Sequence, residues 1–302
     1  MNRTADVVVV GGGIVGCSTA YNLARLGAGK VVLVERGYLA SGSTGRCGAG
    51  MRMQWGTETN CLLSRESTKL LENLPEILEV DTDIELKQGG YLLLAYTEKM
   101  AAQFKKNLIL QNSLDIPARW VTPAEAKEIV PHLNTKGMIG ATFCPKDGHC
   151  NPFKATEAYA KAARRLGVEI LTHTEVTGIE SECCRIRTVK TTAGDIHTPR
   201  MVVAAGGYTK GLGRMVGAEI PIYPERHEIL VTEPVEPMQE SMVMSFHHNL
   251  YCQQSPHGSF IMGIGHPDLP ESFDTRSSWQ FLQEMATRLI TILPALAGLN
   301  VV

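Results

Sequence analysis

The sequence predicts an α/β fold: a Rossmann-like nucleotide-binding domain with a β-rich second domain inserted into it. Three observations carry that expectation. An apolar strand, a Gly-x-Gly-x-x-Gly turn and a helical stretch follow one another directly at the start of the chain. A second apolar strand near residue 204 also ends in small residues and glycine, as a sheet requires where its C-terminal edge meets a ligand. Beyond Pro221 the pattern changes to short strands.

The first unit reads DVVVVGGGIVGCSTAYNLARLGAGKVVLVE. Val7 to Val10 form a buried-strand run that feeds Gly11, Gly13 and Gly16. A helical stretch follows from Ile14 to Leu26, and a second strand from Val31 to Val34 ends at Glu35. This is a complete βαβ dinucleotide fingerprint rather than its glycines alone. Gly11 permits the tight turn, Gly13 lets backbone amides approach a pyrophosphate, and Gly16 lets the helix pack closely on the strand. The helix N-terminus, at Ile14 and Val15, offers unpaired N–H groups and partial positive charge to phosphate. Glu35 can accept hydrogen bonds from both hydroxyls of an adenosine ribose, with Arg36 beside it. A carboxylate there repels a 2′-phosphate, so the expected ligand is FAD or NAD rather than NADP.

After the second strand comes the small-residue run from Ser41 to Gly50. Such a run is either a flexible linker or a loop pressed against a ligand. Its position after a dinucleotide unit favours the second, with Ser41, Ser43, Thr44, Gly45, Arg46 and Gly48 contacting pyrophosphate and ring. Val176, Ala205 and Gly206 complete the expected cofactor-binding set. The competing reading of Ala205-Gly206 is an ordinary strand-to-helix turn.

Further along, Thr59 to Leu78 is helical and expected to end near Pro75. Lys87 to Ala95 reads as a strand, and Glu98 to Ser113 as an amphipathic helix. Thr122-Pro123-Ala124-Glu125 is a capping box opening a short helix. Asn151-Pro152 opens another, which ends at Leu166-Gly167. Strands are expected at Val168 to Leu171, Arg185 to Thr191 and His197 to Ala204. Later strands fall at Ile229 to Thr232, Met242 to Ser245, Leu250 to Gln253 and Ser259 to Gly263, before a helix from Ser277 to Ile292. The nucleotide-binding domain is accordingly expected from residues 1–80 and 145–220. Residues 81–144 and 221–302 are expected to form the substrate domain.

Composition narrows the function classes. With 44% hydrophobic and 20% charged residues, the chain is ordinary for a globular protein with a sizeable core. A net charge of −2 gives no reason to expect nucleic acid or an anionic membrane as partner. No apolar run approaches the roughly 18–20 residues of a membrane span. The N-terminus enters the first strand without room for a signal peptide, so the cytoplasm is the expected location. Eight cysteines scatter without a CxxC pair, which argues against a zinc site or a disulfide scaffold, and no metal is expected. Cys183-Cys184 falls in an expected hairpin turn.

The fingerprint, SGSTGRCGAGMR, KQGGYLLL, TPAEAKEIVPHL, PKDGHCNPF and the VVAAGG strand occur in that order. Together they resemble the D-amino-acid-oxidase-like flavoprotein superfamily. Within it the likeness is to the FAD-carrying β subunits of heteromeric sarcosine oxidases and to dye-linked L-proline dehydrogenases. The resemblance covers essentially the whole chain. It implies FAD as cofactor and a small amino acid, often a secondary amine, as substrate. The implied chemistry is hydride transfer from the carbon beside nitrogen to flavin N5, leaving an imine that water hydrolyses. It also implies a hetero-oligomeric partner subunit, with FMN near the interface as a further expectation. Members of the superfamily usually continue with a segment that returns to the flavin domain. That segment is expected to be missing here, because the sequence ends at Asn300-Val301-Val302.

An amino acid presents a carboxylate, for which a bidentate arginine is the geometric match. Arg52 stands where related amine oxidases place that arginine, just past the glycine-rich loop; its alternative is a surface salt bridge. Arg46 competes for the role, or meets the flavin instead. Tyr251 is expected either to wall the pocket, to donate a hydrogen bond or simply to pack. His247 and His248 lie near it in sequence without an assignable role, and His149 is expected near a flavin or an interface. Sarcosine or L-proline leads as substrate. Glycine, a D-amino acid or hydroxyproline stays open within the same chemistry, as does a non-catalytic flavin-binding subunit. An NAD-dependent dehydrogenase fits the fingerprint but not the inserted β-rich domain.

Overall fold

The computed structural model describes residues 3–265 and 270–302. Its first layer is a parallel four-stranded sheet in the order Met201–Val203, Val7–Val10, Val31–Val34, Glu169–Leu171. The valine runs are apolar throughout because both faces of this sheet are covered. Val9, Val31 and Leu33 pack under the helices Ile14–Arg25 and Pro152–Arg165, against Cys17, Ala20, Ala158 and Ala162. Val8, Val10, Val32 and Val34 face the other way, onto Val189 and Ile196 of a small mostly antiparallel sheet.

The second layer is a seven-stranded sheet in the order His227–Pro234, Ser259–Gly265, Leu250–Gln254, Met242–Ser245, Tyr91–Ala95, Gly140–Cys144, Arg119–Val121. All its pairings are antiparallel except that of Met242–Ser245 with Tyr91–Ala95. Side-chain alternation sorts the Tyr91–Ala95 strand between two cores. Leu92 and Leu94 join Phe281, Met285 and Leu289 of the helix Trp279–Ile292. Tyr91, Leu93 and Ala95 join Ala101 and Phe104 of the helix Glu98–Ser113. The capping box forms as expected: the Thr122 hydroxyl accepts from Glu125 N, and the Glu125 carboxylate accepts from Thr122 N.

Three local expectations need correction. The helix expected to run to Pro75 ends at Glu72, and a separate short helix, Leu74–Leu78, carries Pro75 in its first turn. Proline lacks a donor that the first turn leaves unpaired anyway, so it starts this helix rather than stopping the one before. The strand expected from His197 to Ala204 is two strands in different sheets, Ile196–His197 and Met201–Val203. Pro199 lies between them and cannot donate to a ladder. Val176–Glu182 is a strand that was not foreseen. It forms a hairpin with Arg185–Thr191, whose turn places Cys183 and Cys184 at φ 48° and 60°.

Candidate functional site

The glycine fingerprint stands at the C-terminal edge of the parallel sheet. Gly11 has φ 113°, and a side chain there would come within 2.4 Å of the Ala204 carbonyl oxygen. A Cβ on Gly16 would stand 1.8 Å from the Gly11 carbonyl oxygen, so helix and turn touch backbone to backbone. The helix that begins at Ile14 has no side-chain cap from Gly13. Thr44 supplies one partner instead, its hydroxyl accepting from Ile14 N at 3.2 Å. Val15 stays exposed beside it.

Glu35 is held from both sides. Its Oε2 accepts from Gly12 N at 2.6 Å and its Oε1 from Gly37 N at 2.7 Å, with Ser41 Oγ at 3.3 Å. Oε2 retains a lone pair for a ribose hydroxyl, while the second acceptor site of Oε1 is taken by the long Ser41 Oγ contact. The glycine cradle and this carboxylate therefore fit the adenosine and pyrophosphate portion of FAD. Ala205 and Gly206, the latter at φ 54°, adjoin the cradle where Ala204 N donates to Val10 O. Val176 packs under the parallel sheet, and Thr174, two residues before it, donates its N–H to Glu35 O. Arg36 lies over the Tyr208 ring at 3.8 Å. Ser43 to Arg46 form a single turn of 3₁₀ helix in which Ser43 and Arg46 are exposed. Gly45 is enforced, since a Cβ there would meet the Ala40 carbonyl at 2.4 Å.

The glycine-rich loop then crosses to the second sheet. Gly48 O accepts from Gln253 Nε2 at 2.7 Å, and Gly50–Met51 pairs antiparallel with Gly148–His149. A side chain on Gly50 would collide with the Tyr91 hydroxyl. The loop delivers Arg52 onto the Tyr91/Leu93 face of the sheet. The Arg52 guanidinium lies over the Trp55 ring at 4.1 Å, and its Nη1 donates to Met244 Sδ at 2.8 Å. Met244 is the register partner of Tyr251 and so stands between the two residues expected at the substrate, although Tyr251 does not line the cavity beside Arg52. Tyr251 is half-buried, stacks on His227 and is pushed up to about 12 by burial.

Arg52 does not make the surface salt bridge that was its alternative. It is half-buried, no carboxylate pairs with it among the described residues, and its Nε has no hydrogen-bond partner. Burial lowers its pKa, opposed by Tyr91 and Asp147 nearby. Thioether sulfur is a weak acceptor, so this cation is desolvated and under-partnered, as a guanidinium awaiting an anion would be. It borders a cavity of about 230 Å³ lined with Gln54, Trp55, Phe104, Gln111, Thr142 and Phe246, among others.

His247 and His248 pack around Tyr96, with ring centroids at 5.3 and 4.6 Å. His149 is buried with Nε2 unpartnered, and burial pulls its pKa down. Sequence reasoning passed over Asp147, Gln54, Trp55 and Phe246. Only the Lys146-Asp147-Gly148 run signalled anything, and it reads as a surface turn; Asp147 is in fact 0% exposed.

The chain belongs to the FAD dependent oxidoreductase family DAO, whose model matches residues 6–302. Among its relatives, the sarcosine oxidase subunit beta of Arthrobacter sp is 32% identical over 305 residues, covering 99% of this chain and 75% of that protein. The crystal structure of L-proline dehydrogenase from P. horikoshii superposes with a TM-score of 0.94 at 36% identity, over 100% of this chain and 80% of that one. Glycine oxidase from Geobacillus kaustophilus superposes with a TM-score of 0.89 at 25% identity, over 99% and 81%. The resemblance read from the sequence is thus borne out. No helix among the described residues is long and apolar enough to cross a membrane, and no group of metal-ligating side chains occurs among them.

Proposed function

We propose that the protein oxidises the C–N bond of a small amino acid bearing a secondary amine, sarcosine or L-proline. The observation that carries this reading is Arg52: a half-buried guanidinium without a carboxylate partner, on the wall of a cavity, delivered there by the cofactor loop. Bound FAD supplies a hydride acceptor, N5, for the carbon beside the substrate nitrogen, and water hydrolyses the resulting imine. Arg52 binds and orients the substrate carboxylate by paired N–H donors. Trp55 and Met244 fix the guanidinium, and Tyr251 walls the site beside Met244. Trp55, Phe104 and Phe246 give the cavity an aromatic wall beside the guanidinium. In this reading residues 1–80 and 145–220 carry FAD, and residues 81–144 and 221–302 carry the substrate.

The sarcosine oxidase β-subunit likeness supports a hetero-oligomeric partner, with an FMN at the interface as corollary. Eight free cysteines, three of them exposed, support a reducing cytoplasm. Anaerobic addition of sarcosine and then L-proline to the flavin-loaded protein tests the substrate class. Bleaching of the flavin absorbance by either one is expected; a spectrum that neither changes, with the partner subunit present, rejects the assignment.

A further inference from the structure

The segment that follows Arg52 is anchored at three successive residues, and one of the anchors is a buried carboxylate. Asp147 Oδ1 accepts from Met53 N at 2.8 Å, and Oδ2 accepts from Gln54 Nε2 at 2.9 Å. Gln54 Nε2 donates also to Tyr91 O at 3.0 Å. Both partners accept from that amide, which fixes Gln54 with its Nε2 toward Asp147 and the Tyr91 carbonyl. One residue further on, Trp55 Nε1 donates to Arg52 O at 2.7 Å, and Gln111 Nε2 donates to Trp55 O at 2.8 Å. Asp147 faces Arg52 electrostatically without forming an ion pair with it. Its oxygens face Met53 N and Gln54 Nε2, and the guanidinium keeps only the Met244 thioether as hydrogen-bond acceptor.

We infer that Asp147 is the positioning residue of the Arg52 clamp, fixing the backbone after Arg52 while supplying a buried counter-charge that does not occupy the guanidinium. This rests on the reading of Arg52 as the carboxylate ligand. A carboxylate within ion-pair distance would compete with substrate; one held back by Met53, Gln54 and Cys144 does not. Replacement by asparagine keeps the shape but sets an amide N–H₂ against Met53 N–H or Gln54 N–H₂, so one anchor must break.

The test uses the flavin-loaded protein with whichever of sarcosine and L-proline bleaches it. Asp147→Asn is expected to raise KM about tenfold, with kcat within about twofold and the flavin spectrum unchanged. Because Asp147 acts through Arg52, Asp147→Asn should add nothing to KM once Arg52→Lys is present. Where Asp147→Asn fails to fold, Gln54→Met removes one of the carboxylate's partners and should show a smaller rise with the same dependence on Arg52. An unchanged KM, or a rise that persists in full beside Arg52→Lys, overturns the inference. If Arg52→Lys alone leaves KM unchanged, the clamp reading itself has failed, which is a separate result.

Discussion

Asp147 also makes the protein's stability depend on pH in a direction opposite to that of most paired carboxylates. Burial raises its pKa from 3.8 to about 6, and the hydrogen bonds from Gln54, Met53 and Cys144 offset that only in part. Between these pH values the folded chain keeps the proton that the unfolded chain releases. The native state then binds more protons, so stability falls as pH rises through the window and the loss is complete above the folded pKa. Displacing a titration from 3.8 to about 6 corresponds to about 3 kcal/mol of unfolding free energy. Asp147→Asn removes the titration. Urea unfolding of parent and variant between about pH 3.5 and pH 7 should show the parent losing ~3 kcal/mol relative to the variant as pH rises. A difference that stays constant, or that grows in the parent's favour, would refute a desolvated Asp147.

Two further outcomes follow from the site. Arg52→Ala should raise KM about 100-fold, the cost of about 3 kcal/mol for a lost charge-assisted pair, with the flavin spectrum unchanged; steady-state kinetics with normal KM would remove the substrate assignment. Gly16→Ala places a Cβ 1.8 Å from the Gly11 carbonyl, which forces helix and turn apart. Purified Gly16→Ala should carry about a tenth or less of the parent's FAD, read from the flavin-to-protein absorbance ratio, at overpacking costs of about 1–3 kcal/mol.

What the sequence made legible was what is local in the chain. The βαβ unit could be read because four valines, three glycines and an acid stand in an order that only a strand, a turn and a helix satisfy. The capping box at Thr122 is legible for the same reason. Val176–Glu182 escaped notice because only Val176 and Ile179 are apolar in a strand that is largely exposed. The break at Pro199 follows from a missing N–H that an apolar pattern does not display. At the site, Arg52 and Tyr251 were named, but what makes Arg52 unusual was not. Beyond the neighbouring Trp55, its surroundings come from three segments, around residues 91, 147 and 244, that meet only by folding. Asp147 is the clearest case, because a Lys-Asp-Gly run has the same composition whether it caps a surface turn or lies at the bottom of a core.

The loop from Thr44 to Arg52 touches the glycine cradle at one end, through Ile14 N, and at the other carries the proposed substrate ligand, Arg52. Seven residues separate the two contacts, and the Gly48 and Gly50 bridges tie the intervening backbone to other segments. If Arg52 takes the substrate as proposed, a taut tether of this kind makes the two ligands partners in one equilibrium. Whatever free energy cofactor binding contributes to ordering the tether is free energy the substrate need not supply, and reciprocity requires the substrate to tighten the cofactor by the same factor.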